Sequence, residues 1–277
     1  MATSRPTQFW TLVVLGGAAI LVYLFASAPP PLETQRTERP SLSTAEALTL
    51  LAYENDVTRT LFTKEIVGNG KPQGLNFREN WMDDDVVAGP LPALFLRGVE
   101  AELSKSDVPM HLFLGSDYPI ESSNRFSDRQ QLEFDAMKAD LAPKHFVDSI
   151  SGEHISMFPD FASAAPCVSC HNDHERSAKS DWKLGDLMGA TTWSYPSDSV
   201  TTDEFMAMVS AYREGVKVVW SQYLSELEQL APEQQPEVGE HWPSAGFFIP
   251  NHTTLRDSIN ALSSGALLEG LMDKVTL

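Results

Sequence analysis

The sequence predicts an α+β fold, an antiparallel sheet with helices gathered at one side. Three observations carry that prediction. Ser43 with Glu46, Ser127 with Gln130, and Thr201 with Glu204 each stand just ahead of an apolar run of helical period. Such capping boxes satisfy backbone N–H groups that the first helical turn leaves open. Between them lie short apolar runs bounded by proline, glycine and serine, which read as strands. The stretch from Phe205 to Leu230 keeps one continuous apolar stripe, the pattern of a long helix.

In chain order, residues 9–28 carry no charge and suffice, as a helix, to span about 30 Å of hydrocarbon. Arg5 precedes them, and Pro29-Pro30-Pro31 with mixed charges follows. By the distribution of basic residues, 1–8 form a cytoplasmic N-terminus, 9–28 a transmembrane anchor, and the remainder lies in the periplasm. Ala26-Ser27-Ala28 offers a cleavage site, but the apolar run exceeds a usual signal core and proline follows directly, so an uncleaved anchor is expected. Residues 29–43 read as a linker. A helix over 44–66 follows, ended by Gly68, Gly70, Pro72 and Gly74, then a long loop to Pro90. Loops of that length usually cover a ligand.

A second helix is expected over 94–104 and a strand over 110–114. Ser127 opens a helix to Leu141, with Leu132, Phe134, Met137 and Leu141 available to the core. Runs 145–150 and 154–158 form a hairpin about Ser151-Gly152, and Gly189–Tyr195 a closing strand. These elements place one domain at 44–198, with a helical C-terminal extension at 199–277. Its long helix, 202–230, packs on its own domain or forms a homodimer seam. Residues 231–252 connect it to one or two short helices.

The formal charge of −18 excludes a nucleic-acid partner, which requires clustered Lys and Arg. No nucleophile-elbow, phosphate-loop or metalloprotease motif is present, so no enzyme activity is expected.

Cys167-Val168-Ser169-Cys170-His171 contains the chain's two cysteines. Two thiols three positions apart with a histidine after the second is the attachment pattern of c-type haem. Each thiol adds to one vinyl group, and His171 supplies the proximal iron ligand. A thioredoxin-like pair would require a strand-to-helix turn, and a zinc site from Cys167, Cys170, His171 and His174 would crowd its ligands. The motif is expected on a loop. Export and haem attachment agree, since such haems are attached outside the cytoplasmic membrane.

The motif continues with Asn172, and then Asp181-Trp182-Lys183-Leu184-Gly185-Asp186-Leu187-Met188-Gly189. Upstream stand Gly89-Pro90-Leu91-Pro92-Ala93 and Ser116-Asp117-Tyr118-Pro119-Ile120, with Arg125 close behind. Over about residues 45–197 these segments resemble a family of bacterial haem-c-binding PAS-like sensor domains, long catalogued as a domain of unknown function. The resemblance implies a PAS-like antiparallel sheet with flanking helices and one covalent haem c. It also implies an extracytoplasmic sensor feeding a kinase, cyclase or chemotaxis-type output. Beyond residue 200 this sequence carries no catalytic domain or second spanning segment, so a signalling or redox protein partner is expected.

Trp182 offers a flat apolar surface for a haem face, and Arg125 is a candidate for the propionates, as is Lys183. For the distal position the candidates are Met82, in the long loop, and His111. Met110, His154 and Met157 also lie in the domain, and a vacant sixth site is the alternative. His174 is expected to be exposed. The function expected is a membrane-anchored periplasmic haem sensor of redox state or a diatomic gas, with a monohaem electron-transfer protein as the alternative.

Overall fold

All three expected capping boxes are formed in the computed structural model of the protein, which describes residues 5–27, 41–243 and 248–272. The chain divides into two units, Met1–Arg39 and Pro40–Leu277. The first holds helix α1 (Arg5–Ala26), on which Phe9, Trp10, Val14 and Tyr23 are exposed. Among the described residues, which omit several α1 side chains, no helix is long and apolar enough to cross a membrane. The anchor expected over 9–28 is therefore not shown. Most of the expected linker, at 28–40, lies outside the described residues.

In the second unit β1 (Ser41–Ser43) leads into α2 (Thr44–Leu61). Gly68 and Gly70 do not stop this helix, contrary to expectation. It continues through a π-helical segment, Phe62–Val67, into α3 (Gly68–Gly70) and a 3-10 turn, Lys71–Gln73. A glycine inside a helix costs only about 1 kcal/mol, and the buried side chains of Phe62, Ile66 and Val67 outweigh it. The stop is Gly74, whose φ of +97° turns the chain off the helix.

The following loop carries one short parallel pair, β2 (Phe77–Arg78) with β3 (Gly89–Pro90). Next come α4 (Pro92–Leu103), which starts on proline, then β4 (His111–Gly115) and α5 (Asp128–Asp140). Phe134 and Met137 of α5 are buried, but Leu132 and Leu141 are exposed. Leu132 lies on the opposite helix face from Phe134, and Leu141 takes a left-handed φ of 56° that ends the helix. The remaining elements are β5 (Lys144–Val147), β6 (His154–Phe161), α6 (Ala165–Asp173), β7 (Leu187–Tyr195), β8 (Ser199–Thr201), α7 (Thr202–Leu227), β9 (Glu237–Gly239), β10 (Phe248–Pro250) and α8 (His252–Met272).

One sheet organises the unit. Its order is β4-β7-β6-β5, antiparallel throughout. The fold class is thus α+β as expected, although the pairs β2/β3 and β9/β10 are parallel. On one sheet face Leu112 and Trp193 join the side chains of α2, α4 and α7, with Trp193 edge-on to Tyr212 at 5.9 Å. On the other, Met157 and Ala190 pack with Phe126, Phe134 and Met137.

The helices expected as an extension at 199–277 share this core. Phe205, Val209, Tyr212, Val216, Val219, Tyr223 and Leu227 are all buried in the same cluster as Leu48 and Phe95. A homodimer through helix 202–230 would therefore have to use a different helix face. The described part of the region expected at 253–275 belongs to a single helix, α8, lying on α2.

Helices α2 and α7 also share a charge pair. Glu54 is wholly buried and accepts two bonds from Arg213, at 2.5 and 3.0 Å. Removing one partner of such a pair leaves an uncompensated charge. Arg213→Met should lower unfolding stability by about 3 kcal/mol, and Glu54→Gln in the same chain should recover much of the loss. Urea denaturation of both variants reads this directly.

Candidate functional site

The Cys–His segment is helical, α6, and not the loop expected. Pro166 sits in the first turn of α6, where its missing N–H costs no helical hydrogen bond, and the Cys167 N–H donates to Ala164 O at 3.0 Å. The helical conformation sets the chemistry. Cys167 and Cys170 are three residues apart and Cys167 and His171 four apart, so all three lie on one face.

Both thiols are free and half-buried. Burial, and then the Glu79 carboxylate, push the Cys170 thiol above its usual range. Burial pushes the His171 imidazole down, with Asp160 acting in the opposite sense. His171 Nδ1 is buried without a hydrogen-bond partner.

Asn172 fastens this helix to the segment after it. Its Nδ2 donates to Trp182 O at 3.0 Å and its Oδ1 accepts the Trp182 N–H at 2.8 Å. One side chain thus satisfies both backbone groups of a residue ten positions on, as a neighbouring strand would. Trp182 is buried, edge-on to Tyr118 at 6.1 Å, with the Lys179 ammonium 4.6 Å from its ring centroid. Its Nε1 is a second buried group without a partner.

The Asp181–Gly189 segment then returns to the sheet. Asp186 Oδ2 accepts the Lys183 N–H at 2.8 Å, and Gly185, at φ +88°, donates to Ala162 O at 3.0 Å. Gly185 is there for its backbone, since side chains rarely adopt that φ. Ser116 Oγ donates to Met188 O at 2.6 Å. A Cβ on Gly189 would sit 2.2 Å from Gly115 O, so only glycine allows β4 and β7 to approach this closely.

Ion pairs hold the far end of α6. His174 Nε2 lies 3.1 Å from Glu79 Oε1, and Arg176 Nη2 lies 3.3 Å from Glu79 Oε2. Arg176 also pairs with Glu121. His174 is consequently 16% exposed rather than on the open surface. Glu79, Arg176 and Asp160 were not distinguishable in the sequence. Glu79 and Arg176 are separated by 97 positions, and no local spacing marks such a pair.

The structure brings Cys167, Cys170, His171, Asn172 and Trp182 together. The Arg125 side chain is exposed, its backbone bridging to Ser116. Of the distal candidates, Met82 is 67% exposed. His111 is 61% exposed and faces Glu153 at 3.9 Å. Met110 and Met157 are packed in the two apolar clusters, and His154 is half-buried. Among the described residues no group of three or more His, Cys, Asp or Glu side chains could hold a metal ion, as the zinc reading requires.

Fold and site together define an α+β domain that carries a thiol–imidazole helix between two neighbouring strands of its sheet. The chain belongs to the Tll0287-like family, whose model matches residues 35–196. No match was found among the curated proteins or the solved structures. Two free thiols and an imidazole on one helix face fit covalent attachment of a group through the thiols, and His171 Nδ1 and Trp182 Nε1 beside them are buried without hydrogen-bond partners.

The Asn172 clamp is the most economical target. Asn172→Ala leaves the Trp182 N–H and C=O without their partners and should cost about 1–3 kcal/mol. Faster hydrogen exchange confined to 181–186 would report the loss, while unchanged exchange there would show that the clamp bears no load.

Proposed function

We propose that the protein carries one haem c, bound through Cys167 and Cys170 with His171 as proximal ligand. In this reading it is a membrane-tethered, periplasmic, PAS-like sensor of redox state or a diatomic gas. The observation that carries the reading is the single face of α6 presenting both thiols and the imidazole. Membership of the Tll0287-like family, and the resemblance to haem-c-binding PAS-like domains over the same residues, support it. When bound, the haem supplies an iron that changes charge by one electron or takes up a small ligand. The chain does the rest. Asn172 fixes the direction of α6 against Trp182, and Trp182, itself buried, keeps water from that side of the site.

The exposure of Met82 and of His111 supports an iron left open on its distal side, hence sensing. The uncharged sequence run from Phe9 to Ala28, with Arg5 ahead of it, supports a tether in the cytoplasmic membrane. Output passes to a signalling or redox protein partner. The alternative reading, a monohaem electron-transfer protein, draws on the charge of −18, which would steer a basic redox partner.

The Cys167→Ala/Cys170→Ala double variant should lose all haem that survives a denaturing gel. Carbon monoxide added to the ferrous protein should shift the Soret band rapidly, and a silent band would favour electron transfer. Met82→Ala should leave the ferrous spectrum as it is, whereas a new five-coordinate spectrum would return Met82 to the iron.

A further inference from the structure

The indole of Trp182 is buried, at 6% exposed, and its Nε1 donates to no acceptor among the described residues. A donor shut off from water without an acceptor is costly to keep. The carboxylates of its own segment are engaged elsewhere. The Asp181 side chain is 80% exposed and pairs with Lys179, and Asp186 accepts the Lys183 N–H at 2.8 Å. An acceptor for Nε1 therefore has to come from outside the segment. The backbone of Trp182 is meanwhile fixed to α6 by the two Asn172 bonds, at 2.8 and 3.0 Å, so the indole belongs to the same unit as Cys167, Cys170 and His171. The Lys179 ammonium lies 4.6 Å from the centroid of the ring, and its side chain is only 25% exposed. An unused N–H donor and an ammonium group on one indole suit a carboxylate, which accepts charge-assisted hydrogen bonds from both.

We propose that Trp182 Nε1 and Lys179 bind a carboxylate, and that this carboxylate is a propionate of the haem attached at Cys167 and Cys170. The inference rests on the haem reading above and names the residues that hold the group away from its thioether bonds. Joined to α6 along its vinyl edge, haem carries its two carboxylates on the other edge. A chain of formal charge −18 needs a local cation to take in two more negative charges. Arg125 and Lys183, the cations expected for that role, are exposed, where an ion pair contributes little. Lys179 is the partly shielded cation of the segment, and the indole N–H beside it supplies direction as well as charge stabilisation. Because Asn172 ties Trp182 to α6, the carboxylate anchor and the thioether anchors are parts of one unit, and the haem is held at both edges by it.

The test uses the full-length, haem-loaded protein. Trp182→Phe keeps most of the ring's bulk and removes the donor, and Lys179→Gln removes the cation. With Soret excitation, the propionate-bending band of the resonance Raman spectrum should shift in both variants, and further in Trp182→Phe, while the covalent haem is retained. The chain has six tryptophans, so the ultraviolet Raman difference between wild type and Trp182→Phe isolates one indole, which should show a hydrogen-bonded N–H. An indole N–H without a hydrogen bond overturns the inference, as does a propionate band that stays in place in either variant. A bonded indole beside an unmoved propionate band would assign the acceptor to a free carboxylate from solution, against the proposal. Should Trp182→Phe not fold, the propionate band of Lys179→Gln decides alone. All these outcomes leave the haem reading intact, whereas a wild type without covalent haem overturns both.

Discussion

Strand β7 has to be covered on both faces, and most of the molecule answers to that requirement. From Gly189 to Tyr195 every residue of the strand is buried. A strand in that position cannot alternate polar with apolar side chains, so Thr191, Thr192 and Ser194 are buried alongside Trp193 and Tyr195. One face takes α2, α4 and α7, the other α5. The long C-terminal helix is therefore part of the sheet's covering. It spends its stripe on Trp193 and its neighbours, and it brings Arg213 to the otherwise unmatched Glu54.

The same strand fixes the candidate site. Its N-terminal end is the end of the Asp181–Gly189 segment, and the close approach of Gly189 to Gly115 sets where that segment can run. Asn172 then copies the segment's position onto α6. Two glycines and one amide thus translate sheet geometry into the direction of a helix bearing two thiols and an imidazole. The ion pairs of Glu79 and Glu121 hold the other end against two loops.

Much of this was legible in the residues. Capping boxes are local, involve four consecutive positions, and all three formed. The Cys167–His171 spacing and Asn172 were visible for the same reason. Features that failed to show depend on distant partners. Gly68 and Gly70 read as breakers because nothing nearby reveals the burial of Phe62 and Ile66 that carries the helix past them. The Cys167–His171 motif was expected on a loop, although Pro166 just ahead of it is compatible with the first turn of a helix. Leu132 read as core because its hydrophobicity says nothing about which helix face the sheet will claim. Glu79, Asp160 and Arg176 are ordinary charged residues until the fold sets them beside α6.

The connection that holds α6 joins β6 to β7, which are hydrogen-bonded neighbours in the sheet. Topologically it is an enlarged hairpin turn, and no other strand pairing passes through it. Closing a longer loop adds little entropy cost, since each doubling of length adds only about 0.6 kcal/mol. The strand pairing of the sheet therefore does not run through residues 162–186. The register of the strands that carry the turn is written in their own pairing, from His154 opposite Tyr195 to Asp160 opposite Gly189.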